Sequence, residues 1–189
     1  MSLLHLQKDP SKTISWAKGT STELFIYPKT GNFQKREFLF RLSLATVEAE
    51  ESVFTPLPGI HRTLMLLEGE HTLSHENHHK KMLKPFDQDS FSGDWHTTSQ
   101  GKAINFNLMC MDGAKGQLNH LRVAKGETFT FEPQSDFTIF YLYSGSCAND
   151  EIKCIAGDCL VWEKSKHSMP VLKGLETCTF VQVSISLYK

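Results

Sequence analysis

Short runs in which large apolar side chains alternate with smaller or polar ones dominate this sequence, and glycine or proline ends most of them. The clearest run covers 37–48: its even positions 38–44 are all Phe or Leu, whereas its odd positions include Arg41, Ser43 and Ala45. A period of two is the spacing at which a β-strand places side chains on one face. Many short runs of this kind are typical of a β-sandwich or a β-barrel. We therefore predict an all-β fold.

The same pattern predicts strands elsewhere in the chain, over 23–27, 61–67, 104–111, 127–132, 137–143, 152–155, 158–162 and 177–188. No window of about 11 residues shows a convincing period of 3.6, and 115–122 could hold a helical turn at most. The composition shifts near 112–116. We therefore predict two β-rich domains, 1–113 and 114–189.

The charge balance excludes one class of partner. The 189 residues carry 20 Lys and Arg against 21 Asp and Glu, a net charge of −1. Nucleic-acid binding needs a basic face, and no long basic run supplies one. No segment approaches the roughly 20 apolar residues that span a bilayer. Five cysteines, an odd number with no CxxC pair, indicate reduced thiols, so we predict a cytoplasmic protein.

Arg41 is unusual for its position, because apolar side chains flank it within a predicted strand. An arginine in such a place must meet a carboxylate, a carbonyl or a ligand anion. Ser43 and Ala45 are small and share its face, which leaves volume for a ligand. Glu23 could instead be a purely structural partner, and both interpretations stay open.

Further polar side chains fall on the neighbouring predicted strands. Arg62 opens the strand at 61–67, and Asn105 and Asn107 present two amides on one face of 104–111. Each amide can donate and accept hydrogen bonds. We predict a pocket in which Arg41 and Arg62 hold a small anion such as a carboxylate, the two amides bind its polar edges, and Trp16 packs over it.

Four histidines stand close together, at positions 71, 75, 78 and 79. Histidine is the commonest metal ligand near neutral pH. On a strand, however, His71 and His75 lie about 13 Å apart at roughly 3.3 Å per residue, too far to bind one ion. We predict a solvated hairpin turn here, and keep a metal-dependent enzyme that uses this cluster as an alternative.

Several motifs resemble the HutD/Ves family in order and spacing over about residues 14 to 111. They are Trp16-Ala-Lys-Gly-Thr20, Thr22-Glu-Leu24, Tyr27-Pro28, Phe38-Leu-Phe-Arg-Leu-Ser43 with Ala45, Phe54, Leu57-Pro-Gly59, Arg62, Leu64, Phe91-Ser-Gly-Asp-Trp95 and Phe106-Asn-Leu-Met109. His61 and Asn105 depart from this pattern, since the family often has aspartate there.

The resemblance implies a bicupin, in which two small double-stranded β-helix barrels pack together. It also implies a small-ligand pocket rather than a known enzyme. HutD-type members accompany histidine-utilisation operons and are thought to restrain them, and Ves-type members are linked to stress or cold. Six residues on these family motifs are predicted to bind the ligand, namely Trp16, Thr20, Glu23, Arg41, Arg62 and Asn107. We add Asn105, which shares a strand face with Asn107.

The metal motifs of cupins match this chain poorly. Gly69 is followed by His75 at the expected distance, but position 77 of the His-x-His motif is Asn. The second motif is approached only by Gly157 and His167, with Glu163 where proline is expected. We therefore expect a metal-free pocket and no cofactor.

These observations favour a binding or regulatory protein over an enzyme. We expect no nucleic-acid or membrane partner, and an edge strand leaves room for a homodimer. Two alternatives stay open: a metal-dependent oxygenase or isomerase that uses the histidine cluster, and an interaction module whose pocket is filled by side chains.

Overall fold

The structure is a computed structural model that describes residues 3–130, 135–164 and 170–188. Its regular elements are strands and one 3-10 turn, Pro10–Lys12, and no helix among these residues is long and apolar enough to cross a bilayer. The first eleven strands are β1 Leu3–Leu6, β2 Thr13–Trp16, β3 Gly19–Tyr27, β4 Phe40–Val47, β5 Glu51–Val53, β6 His61–Gly69, β7 His71–His75, β8 Lys80–Leu83, β9 Gln88–Ser92, β10 Thr97–Gln100 and β11 Ala103–Cys110. The other eight are β12 Ala114–Val123, β13 Thr128–Phe129, β14 Phe137–Ser144, β15 Ser146–Ala148, β16 Lys153–Ile155, β17 Cys159–Glu163, β18 Leu172–Gly174 and β19 Cys178–Leu187.

The chain divides into two compact units. One is Asp9–Lys115, and the other combines Met1–Lys8 with Gly116–Lys189. The sequence places the division at 113/114 and assigns the first residues to the N-terminal domain. In the structure, β1 pairs antiparallel with β17, Leu3 opposite Trp162, and this hydrogen bonding explains why the first residues group with the second unit.

Two sheets enclose the core of the Asp9–Lys115 unit. One has six strands in the order β2-β3-β4-β11-β6-β9, and the other has four in the order β5-β10-β7-β8. Leu66 and Phe91 from the first sheet pack with Leu73 and Leu83 from the second. Burying one such side chain contributes about 1.5–3 kcal/mol, so this contact holds the two sheets together.

Strand β4 confirms the alternation found in the sequence. Phe40 and Leu42 are fully buried on one face, while Arg41 and Ser43 occupy the other and are also buried. Ser43 lies opposite Asn107 of β11. The odd-numbered face of β4 therefore continues across β11 and β6 as one surface.

The second unit has the same style, with a five-stranded sheet β1-β17-β14-β19-β12 and a four-stranded sheet β13-β18-β15-β16. Phe140 and Phe180 from the first sheet pack against Cys147 and Leu172 from the second. All five cysteines are free and buried.

The predicted strands are present, with shifts of a few residues at their ends. The last two residues of the strand predicted at 127–132, positions 131 and 132, lie outside the described residues. The helical turn at 115–122 is wrong, because these residues form part of β12. β12 is an edge strand with polar exposed positions, so its apolar residues are too few to show a period of two. The sequence also missed β1, β2, β5, the four strands β7–β10, β15 and β18.

Candidate functional site

A cavity of about 300 Å³ lies within the Asp9–Lys115 unit, against the odd-numbered face of β4. Strands β4, β11 and β6 contribute alternate residues to it, β3 contributes Ser21, and Trp16, Phe33 and Phe54 add aromatic walls. Small-molecule sites commonly have volumes of about 300–1,000 Å³, with mostly apolar walls and a few polar groups. The cavity matches that description.

The charged side chains that line this cavity are two arginines. Arg41 on β4 and Arg62 on β6 both lie opposite Met109 of the intervening strand β11, so their backbones are roughly 10 Å apart at 4.7–4.9 Å per strand. Both side chains are buried and reach the same cavity. Of the described residues that line it, none is an aspartate or a glutamate.

Arg41 has protein partners. Its Nε donates to Oε2 of Glu23 at 2.8 Å and its Nη1 donates to Oγ of Ser43 at 3.1 Å. Its guanidinium carbon also lies 4.2 Å from the ring centroid of Phe33. The Glu23–Arg41 pair, which the sequence left open as a structural alternative, is therefore present, and it neutralises one of the two positive charges.

Arg62 has no such partner. It is 9% exposed, its buried Nε has no hydrogen-bond partner, and it forms no ion pair with any residue that the structure describes. Its guanidinium carbon lies 4.8 Å from the ring centroid of Phe54 and 5.2 Å from that of Phe91. Burial, and secondly the positive charge of Arg41, lower the pKa of Arg62 to about 10. The side chain still carries its charge at neutral pH.

The two predicted amides line the same cavity. Asn105 contacts Nδ1 of His71 through its amide group, at 3.1–3.2 Å. Asn107 is 4% exposed, and its buried Oδ1 accepts no hydrogen bond from the described residues. The cavity therefore contains a cation, Arg62, and an acceptor, Asn107 Oδ1, for which the described part of the chain supplies neither an anion nor a donor.

Of the other residues that we predicted, Trp16 lines the cavity. Glu23 reaches it only through Arg41. Thr20 is not among the lining residues, whereas its neighbour Ser21 is. Successive residues of a strand point to opposite faces, so Thr20 lies on the face of β3 away from Ser21.

The histidine cluster forms a hairpin, as predicted, but it is not uniformly solvated. His71 and His75 are buried on β7, which is a correction to the solvated turn that the sequence suggested. His75 and His79 contact the carboxylate of Asp89, and His78 stacks on Trp95 with ring centroids 3.6 Å apart.

Burial lowers the pKa of His71, against the opposing effect of its hydrogen bond to Asn105. As pH falls, the unfolded chain therefore binds a proton at His71 at a higher pH than the folded chain does. The contribution of neutral His71 to the stability of the fold is lost as pH falls below about 6.5. We expect the unfolding free energy of wild type to exceed that of His71→Gln by an amount that shrinks between pH 7 and pH 5. This difference in unfolding free energy should change by at most about 1.4 kcal/mol per pH unit. Urea denaturation at several pH values measures the difference, and the exposed His61→Gln variant is the control. A gap that stays constant with pH would contradict the expectation.

Phe33, Asp89 and Thr97 of these sites were not singled out in the sequence, and Phe54 was named only as part of a family motif and not as a site residue. The alternation His71, Leu73, His75 would have indicated strand β7 if histidine were counted among inward-facing residues. Phe33 and Asp89 carry no comparable signal, because long-range pairing alone brings them to their partners.

Comparisons with known proteins agree with this architecture. A protein-family model described as HutD matches residues 8–180. A conserved protein of unknown function from Pseudomonas aeruginosa PAO1, PA5104, is 20% identical, with a TM-score of 0.77 over 99% of this chain and 100% of that one. HutD from Pseudomonas fluorescens SBW25 is 16% identical, with a TM-score of 0.72 over 100% of both chains. The pirin YhhW from Escherichia coli, solved with nickel(II), is 9% identical, with a TM-score of 0.75 over 98% of this chain and 100% of that one. No curated protein matches the chain.

These structures confirm an all-β, cupin-like fold. The expected closed barrels need one correction: within the described residues, the strands of each unit form two separate sheets. The family match covers most of the chain and agrees with the resemblance found in the sequence motifs. The chain belongs to the HutD family.

Proposed function

We propose that the cavity of the Asp9–Lys115 unit binds a small anionic metabolite, and that Arg41 and Arg62 hold it without a metal. The observation that carries this proposal is the buried side chain of Arg62, whose Nε has no hydrogen-bond partner and which forms no ion pair with any residue that the structure describes. An unpaired buried charge costs several kcal/mol, and the cation–π contacts with Phe54 and Phe91 offset about 0.5–2 kcal/mol each. A ligand carboxylate would supply the missing counter-charge.

The charge balance supports one anionic group between the arginines. Among the described residues, Glu23 is the one carboxylate that forms an ion pair with either of the two arginines, and its partner is Arg41. An arginine can bind a carboxylate with two parallel hydrogen bonds. We infer that Arg62 makes the main contact and that Arg41, held by Glu23, adds long-range attraction.

The remaining groups narrow the class of ligand. Oδ1 of Asn107 accepts no hydrogen bond from the described residues, so a ligand with an N–H or O–H donor would bind there favourably. A buried acceptor without a donor lowers the free energy of unfolding by about 1–3 kcal/mol. The walls formed by Trp16, Phe33 and Phe54 suit an apolar or planar body. We therefore propose a carboxylate with one hydrogen-bond donor and a compact apolar part.

Family membership suggests where such a molecule would come from. Among the intermediates of histidine utilisation, urocanate has one carboxylate, a ring N–H and a planar body, and it fits this class better than formylglutamate, which has two carboxylates and an amide N–H. We propose a regulatory role in which ligand occupancy reports the level of such an intermediate, in the reducing cytoplasm that five free cysteines favour.

A thermal-shift panel tests the proposal. Each carboxylate is paired with its uncharged amide, so that shape is nearly constant while charge changes. At 100 times its Kd a ligand adds about 2.7 kcal/mol, which corresponds to about 5–11 °C for a chain of this size. We expect such a shift for at least one small carboxylate and none for its amide. Equal shifts for both members of every pair would contradict an anion site.

A further inference from the structure

We propose that His75, His79 and Asp89 form a binding site for one divalent first-row transition metal ion, such as Zn²⁺. This site is separate from the anion cavity, because none of the three side chains is among the residues that line it. The inference is therefore independent of the proposed function, and either can fail without the other.

The ligand atoms are already close together. Nε2 of His75 lies 3.2 Å from Oδ2 of Asp89. Nε2 of His79 lies 3.1 Å from Oδ1 and 3.0 Å from Oδ2 of the same carboxylate. One potential ligand atom from each side chain lies within 4.8 Å of the others. Two ligands bound to zinc at about 2.1 Å with tetrahedral angles are about 3.4 Å apart. Each histidine nitrogen would thus need to move only a few tenths of an ångström from the Asp89 oxygen that it contacts, and the two nitrogens already lie within 4.8 Å of each other.

The surrounding contacts orient two of these ligands. Nδ1 of His75 is bonded to Oγ1 of Thr97 at 2.8 Å, which turns Nε2 towards Asp89. The backbone N–H of Ser90 donates to Oδ1 of Asp89 at 3.0 Å. Partners of this kind fix the orientation of metal ligands, and removing one typically lowers affinity about 10–100-fold.

The ligand set determines the class of ion. Two imidazole nitrogens and one carboxylate suit zinc, cobalt, nickel and ferrous iron, whereas calcium and magnesium prefer oxygen ligands. His75 and Asp89 are buried, but the side chain of His79 is 41% exposed. The exposed side would let the ion enter, and water could occupy the remaining coordination positions.

The three ligands come from different segments: the end of β7, the hairpin turn, and β9. β7 belongs to the four-stranded sheet and β9 to the six-stranded sheet. A bound ion would therefore tie the β7–β8 hairpin to the opposite sheet, and would stabilise this unit by mass action.

Cobalt titration of the tag-free full-length chain, after treatment with a chelator, tests the site. Co²⁺ absorption reports coordination directly, and isothermal calorimetry gives the stoichiometry. The ring of Trp95 lies 5.5 Å from that of His75 and 5.9 Å from that of His79, so bound Co²⁺ should also quench tryptophan fluorescence. We expect one Co²⁺ per chain, displaced by one equivalent of Zn²⁺. Absence of saturable Co²⁺ binding would overturn the proposal.

Matched variants separate this site from adventitious binding to exposed histidines. His79→Gln, at an exposed position that should not impair folding, should weaken Co²⁺ binding at least about tenfold, and Thr97→Val should weaken it about tenfold. His78→Gln, in the same turn, should have no effect on affinity. His5→Gln, which removes a ligand from the His5, Cys154, Asp158 group, should also have none. Equal losses in His78→Gln and His79→Gln, or a larger loss in His5→Gln, would contradict the assignment.

Discussion

Arg62→Met should weaken anion binding at least about thirtyfold while leaving the ligand-free protein at least as stable as wild type. Removing one partner of a buried charge pair costs about 2–5 kcal/mol of binding free energy, which is a loss of affinity of at least about thirtyfold. The free energy of unfolding without ligand should not fall, because within the described part of the chain no carboxylate forms an ion pair with Arg62 and its buried Nε has no hydrogen-bond partner. Met retains apolar contact with Phe54 and Phe91, and sulfur packs favourably on aromatic rings.

The change in unfolding free energy should lie between about 0 and +2 kcal/mol, since lost cation–π contacts partly offset the relief of the buried charge. Calorimetric titration with the best carboxylate of the panel and urea denaturation without ligand measure the two effects. Exposed Arg122→Met is the control and should change neither quantity. A stable Arg62→Met variant that binds the carboxylate as tightly as wild type would show that Arg62 does not hold it.

Phe91→Ala should cause a large loss of stability. Phe91 is 2% exposed, belongs to the core between the two sheets, and lies directly opposite Arg62 on β6. Its ring centroid is 6.1 Å from that of Phe54 and 4.5 Å from that of His75. Truncating a buried phenylalanine to alanine costs about 3–5 kcal/mol through lost burial and the cavity that remains.

Urea denaturation followed by fluorescence and circular dichroism measures this loss. Phe91→Leu preserves most of the apolar volume and should cost less than half as much. Tyr188→Ala, at an exposed residue, should change the unfolding free energy by no more than about 0.5 kcal/mol. A loss below about 1.5 kcal/mol for Phe91→Ala would mean that the two sheets do not depend on this contact.

Strands β4 and β11 show what can be predicted from sequence. Both are central strands of the six-stranded sheet, so packing on both faces selects side chains at every second position. The apolar face contains Phe40 and Leu42, and the face with Arg41 and Ser43 lines the cavity. A strict period of two therefore located both the strands and the main polar residues of the cavity.

The region 71–100 was harder to interpret, because its buried positions include His71, His75, Asp89 and Thr97. These polar residues contact one another or Asn105 across strands that are distant in sequence, although the buried Nε2 of His71 has no hydrogen-bond partner among the described residues. A hydropathy pattern treats them as exposed, and so it predicted a solvated turn. Only the pairing of strands shows that they are partners.

The same limit applies to Phe33 and Phe54, two of the aromatic residues that line the cavity, but not to Trp16, which was predicted from the sequence. Phe33 lies outside the strands and Phe54 just beyond β5, yet they contact Arg41 and Arg62 respectively. No local pattern links either ring to its arginine. The sequence thus identified the charged residues of the cavity but not the rings beside them.

The crystal structure of the protein with the most stabilising carboxylate of the panel tests the central claim most directly. We expect the ligand inside the cavity, with a carboxylate oxygen at about 2.7–2.9 Å from a guanidinium nitrogen of Arg62 and a donor group facing Oδ1 of Asn107. A ligand that binds elsewhere, or that lies in the cavity with its carboxylate away from both arginines, would contradict it.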